Sequence, residues 1–159
     1  MPFKTVHATE IPEDHPVKAY QRHFDEHKSA QGVFTGVGFD PLLVGDLLPW
    51  LLILDAVPHT NPSQYRYRFV GPKCSDLFGI DYTGKLLGDD LPKVAADKRR
   101  EEFHAVVETR TPAFSLASIP LSGKEHMQVY RGVFPLAKKD ENVIDQLHVI
   151  IAPVGESLD

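Results

Sequence analysis

The sequence predicts an α+β fold: a five-stranded antiparallel sheet with helices on one face, flanked by an additional N-terminal helix. Three observations predict it. Leu51 to Val57 is an apolar run of strand length bounded by Pro49 and Pro58. Tyr65-Arg66-Tyr67-Arg68-Phe69-Val70 alternates ring and guanidinium with the period of a half-buried strand, which puts Tyr65, Tyr67 and Phe69 on one face. Three further strand-like segments follow the strongest helical segment. The order strand–strand–helices–strand–strand–strand then forms one sheet with a helical layer against it.

Taken in order, residues 1 to about 13 read as an arm. From Pro16 to Gln31, Val17, Tyr20 and Phe24 recur at helical spacing, with Asp14 or His15 as cap, Pro16 in the first turn and Gly32 as stop. The apolar stripe is narrow and the other faces are charged, so it can pack on the domain or meet a partner helix. Because it stands at the end of an otherwise complete domain, Val17, Tyr20 and Phe24 are expected to be buried between two copies of the chain.

Val33 to Phe39 is glycine-rich and reads as loop or poor strand. Asp40-Pro41 is a helix start for Leu42 to Leu48. After the two strands, Gly71-Pro72 breaks the chain, Lys73 to Phe78 makes a short helix and Gly79 stops it. Ala95 to Arg110 is the strongest helix, with Ala96, Phe103, Val106 and Val107 on its buried stripe. Strands are expected at Ala113 to Ile119, Met127 to Phe134 and Val143 to Ala152, with Pro135-Leu136 bending or ending the second. The chain thus divides into an arm and flanking helix (1–32), one domain (33–154) and a tail (155–159).

At 159 residues the chain is long enough for one domain with a substantial core. Its net charge of −5 argues against a nucleic-acid or anionic-membrane partner, which needs a basic face. A single cysteine, Cys74, excludes an internal disulfide and fits a reducing compartment. The N-terminus lacks the apolar segment of a signal peptide, and no stretch approaches the length of a membrane span. A cytoplasmic protein is expected.

Few residues offer chemistry. His23 and His27 are four apart on the first helix, but they lack a third ligand and read as a solvated edge. Cys74 reads as a small semi-buried residue, not a reactive thiol. Lys98-Arg99-Arg100, followed at once by Glu101-Glu102, reads as a solvated helix face. Serine-nucleophile and phosphate-loop motifs are missing.

What remains is an aromatic and arginine set, Tyr67, Phe69, Phe78, Tyr82, Phe103 and Tyr130, on elements that converge between sheet and helices. One by one these residues are core fillers. Together they predict a cavity there, because tyrosine hydroxyls need partners when buried and rigid rings pack poorly without small neighbours. Arg131 is its expected polar anchor. Parity sends Tyr130 and Arg131 to opposite faces, so a bulge near Gly132 is needed to bring both inward.

The succession LLPWLLILD, YRYRFVG, DLFGIDYTGK and YRGVFPL resembles a bacterial group of stand-alone PAS-like domains, over roughly residues 33 to 154. Its most specific piece is R-F-V-G…G-x-D-x-T-G-K, from Arg68 to Lys85, supported by R-x-x-x-P-L from Arg131 to Leu136. The resemblance implies a non-enzymatic sensory or docking module that binds a small molecule in the cleft or a signalling protein on the sheet. It also implies that the N-terminal helix contributes to dimers. It names no ligand or cofactor. Two other readings stay open: a small cone-shaped α+β enzyme, an isomerase or dehydratase with an acid–base pair in its pocket, and a structural dimer module without a cavity.

Overall fold

A computed structural model describes residues 3–35, 44–58, 60, 64–89, 91–119 and 123–158. Five strands form the predicted antiparallel sheet: β3 (Leu51–Val57), β4 (Gln64–Val70), β5 (Ala113–Ser118), β6 (Gln128–Ala137) and β7 (Gln146–Pro153). Two short strands enlarge it. The expected arm contains β1 (Phe3–Thr5), which pairs with β5, and β2 (Phe34–Thr35) runs parallel to β6 beyond the end of β5. The order across the sheet is β1-β5-β6-β7-β3-β4. β6 does not end at Pro135, which pairs with Leu147 of β7.

Among the described residues there are three α-helices, α1 (Pro16–His27), α2 (Pro72–Phe78) and α3 (Lys93–Thr109). The cap of α1 is His15, whose Nδ1 accepts from the Val17 amide at 3.1 Å. Gly79 closes α2 in the left-handed conformation, with φ of 79°, and Gly84 is also left-handed, at 86°. The expected helix over Leu42 to Leu48 lies partly outside the described residues. Its described remainder is turn, followed by a 3-10 turn at Leu48–Trp50. No helix among the described residues is long and apolar enough to cross a membrane.

The helices lie on both faces of the sheet, not on one. α2 and α3 cover the face carrying Leu52, Val129, Arg131 and Ile151. α1 covers the other, where Tyr20 and Phe24 pack on Phe134 at ring distances of 4.7 and 5.4 Å. Val17, Tyr20 and Phe24 are therefore at most 1% exposed within a single chain. This corrects their expected burial between chains: the stripe is narrow because the sheet, not a second helix, receives it. One core takes in residues on both sides of position 32. Gly132 is where helix and strand come closest, since a Cβ there would stand 2.9 Å from Val17 Cγ1 and from the Phe134 ring.

Candidate functional site

The space between the sheet and the α2–α3 layer holds a cavity of about 30 Å³. That is room for about two water molecules. Leu52, Val129, Arg131 and Ile151 form its floor, and Tyr67 of β4 its side. Phe78 at the end of α2, Tyr82 in the turn beyond, and Arg99 and Phe103 of α3 close it, with Leu87, Leu91 and Ile119 at the margins. Tyr67 stacks on Tyr82 at 5.4 Å, and Phe78 meets Tyr82 edge-on at 5.4 Å.

Its charged groups come from β6 and α3. Arg131, 2% exposed, donates from Nη1 to Glu102 Oε1 at 2.5 Å and to Ser115 Oγ at 3.0 Å. Ser115 is its cross-strand partner on β5, and Glu102 reaches in from α3. Burial costs both charges their hydration, so each depends on the other. Arg99, 8% exposed, has its guanidinium pKa brought down to about 9 by burial first and by Arg131 second, with Glu102 pulling the other way. Burial and the neighbouring Tyr82 push the Tyr67 phenol well above its ordinary value, against the pull of Arg131 and Arg99, so Tyr67 is a neutral hydrogen-bonding group.

Of the seven residues expected here, the structure brings together Tyr67, Phe78, Tyr82, Phe103 and Arg131 and leaves out Phe69 and Tyr130. The β3–β4 register explains the first omission. Leu54 pairs with Tyr67 and Ile53 with Phe69, so Arg68 is an extra residue in β4. This bulge reverses the parity: Phe69 aligns with Ile53 and His148, in the row that faces α1. Tyr130 is lost for the opposite reason. The β6 register runs evenly through Gly132, no bulge turns the strand, and Tyr130 packs edge-on against His15 at 5.2 Å.

Arg99 was legible but misread. It is not on a solvated face; it completes the buried stripe Ala96, Arg99, Phe103, Val106 of α3. The spacing of three, four and three residues was the signal, overridden by the charges on either side.

A second polar cluster lies under α1, on the far face. The Tyr20 hydroxyl meets His148 Nδ1 at 2.5 Å, His148 Nε2 meets Gln146 Oε1 at 3.2 Å, and Gln146 Nε2 meets Asp55 Oδ1 at 2.9 Å. The Asp55 carboxylate only accepts, so Gln146 turns its amide NH₂ to it and its oxygen to His148. His148 then carries its proton on Nε2, and Tyr20 donates to Nδ1. Burial, with His23 second, brings the His148 pKa down to about 3. Asp55, held low by Gln146, Arg68 and Lys138 against its partial burial, ends the chain at the surface.

His23 and His27 face each other at 4.5 Å between ring centres, and His27 Nδ1 bonds the His23 carbonyl at 2.9 Å. Among the described residues no group of three His, Cys, Asp or Glu could hold a metal ion. Cys74 is fully buried, and burial pushes its thiol up to about 12, so it is no nucleophile.

No protein-family model matches the chain, and no curated protein does. Among solved structures, a domain of an HTR-like protein from Haloarcula marismortui ATCC 43049 aligns with 16% identity and a TM-score of 0.49. The alignment covers 65% of this chain and 95% of that one.

Proposed function

We propose that this chain is a non-enzymatic sensory domain of the PAS-like kind, which takes a small molecule into the cavity under α2 and α3 and passes its occupancy to a protein partner or a second copy of the chain. The observation that carries this is the convergence of Tyr67, Tyr82, Phe78 and Phe103 with two buried guanidiniums around an interior void. A bare core has little use for two such charges, whose burial is costly. The strand order and helical insertion anticipated from the sequence support the PAS-like reading. The rival enzyme reading needs an acid–base pair in its pocket, whereas the polar side chains lining this cavity are two guanidiniums and two phenols.

β6 is the route for a signal. Arg131 faces the cavity, while Gly132 and Phe134 lie under α1, so a ligand that shifts Arg131 acts on the strand that seats the helix. The test is native mass spectrometry of the purified protein for a co-purified small molecule, with thermal-shift screening of acids, amides and aromatics on wild type and Tyr67→Ala. A saturable rise in melting temperature that Tyr67→Ala loses is the expected result. A library without effect, or a rise the variant keeps, refutes the assignment.

A further inference from the structure

Glu102 links the cavity to a second space, because it lines a groove and bonds Arg131, which lines the cavity. On one side it holds Arg131 in the cavity wall at 2.5 Å. On the other it lines an open groove between α3 and the β1–β5 edge, together with Thr5, Lys98, Ala105 and Phe114. A carboxylate thus already sits on the cavity's guanidinium, tethered to α3, with open space behind it. Its side chain is only 6% exposed, yet a rotation toward the groove frees the place it occupies.

That place and the void are complementary. The void alone admits about two waters, too little for an organic ligand. A carboxylate bonded to Arg131 in place of Glu102 can lay a short alkyl tail into the void against Phe78 and Phe103. Charge selects the same class. Exchanging one carboxylate for another keeps Arg131 in an ion pair, whereas a neutral molecule that displaced Glu102 would leave a buried charge uncompensated. Arg99 adds a second positive group at the same wall.

We infer that the ligand of this cavity is a short monocarboxylate, which takes Arg131 from Glu102 and sends the Glu102 side chain into the groove. Lys98, four residues earlier on α3 and in the same groove, turns to it from Glu101, its present partner at 3.9 Å. The exchange breaks an ion pair that ties α3 to β6, which makes the ligand's arrival a mechanical event. This inference rests on the reading of the cavity as a ligand site.

The experiment titrates the full chain with formate, acetate and propionate, and with formamide, acetamide and propionamide, at matched ionic strength, following the melting temperature. The acids are expected to raise it saturably and the amides to leave it unchanged. Glu102→Gln, which removes the internal competitor's charge, is expected to bind the acids about tenfold more tightly. If acids and amides act alike, the cavity remains a ligand site and the carboxylate inference falls. If neither acts, both fall. Acids that stabilise wild type but bind Glu102→Gln no more tightly overturn the exchange. Should that variant not fold, ¹³C NMR of wild type decides: the Glu102 carboxyl resonance must move with acetate and not with acetamide, and an unmoved resonance refutes the inference.

Discussion

Lowering the pH from about 7.5 to about 5 is expected to remove about 2 kcal/mol of stability through His148 alone. In the unfolded chain this imidazole titrates near its ordinary value of 6.5; in the fold, burial brings it down to about 3. Between those values the unfolded state binds the extra proton, so stability rises with pH. The contribution is fully present above 6.5 and is lost as pH falls toward 3, at about 1.4 kcal/mol per pH unit. Protonation is costly for a stated reason: Nδ1 accepts from Tyr20 and Nε2 already donates to Gln146, so an added proton leaves two donors facing each other. Urea denaturation measures it, with a midpoint expected to fall by roughly 0.7–2 M. The control is His148→Gln, which cannot titrate. His15, also brought down by burial, remains in both proteins and cancels. If the variant loses as much stability as wild type between the two pH values, the reasoning is refuted.

Phe24→Ala should cost about 3–5 kcal/mol, and removing residues 1–31 should leave a chain without a cooperative melt, not a folded monomer, since α1 covers a sheet face. Circular dichroism melts with size-exclusion chromatography read both; a stable monomeric truncation would show that α1 is dispensable. Arg131→Met should cost about 3–5 kcal/mol by stranding Glu102, and Arg131→Met with Glu102→Leu should recover most of it; equal losses in urea would contradict the buried pair. Gly79→Ala should cost about 1 kcal/mol, through its left-handed φ. Gly132→Ala should cost about 1–3 kcal/mol, through Val17 and Phe134; an unchanged melting temperature for either variant would count against the corresponding contact.

What could be read in advance was local. The period of YRYRFV, the run LLILDAV and the helix stops placed five strands and three helices, because those signals lie within a few neighbouring residues. What failed depended on register or on partners distant in sequence. The bulge at Arg68 is fixed by pairing with β3, and nothing in the alternation of Tyr65, Tyr67 and Phe69 announces it. The destination of α1 could not be read either. Tyr20 finds His148, 128 residues away, on a strand that nothing near the helix in sequence points to. Arg99 failed differently: its spacing was present, and its charge outweighed it. β1 escaped because three residues are too few to show a period.

The docking of α1 also has a consequence in time. The helix is synthesised roughly a hundred residues ahead of the strands that receive it. His15 bonds the carbonyls of Ala152 and Pro153, and the Leu158 amide donates to the Asp14 carbonyl, so the seat of the helix is finished only as β7 emerges. At ordinary rates of translation the interval between Tyr20 and His148 is roughly 6–25 s. For most of it, Val17, Tyr20 and Phe24 lack the sheet face they pack on, since Phe134 and His148 are both still to come. Closure of the far sheet face is therefore a late, long-range step of the kind that slows folding.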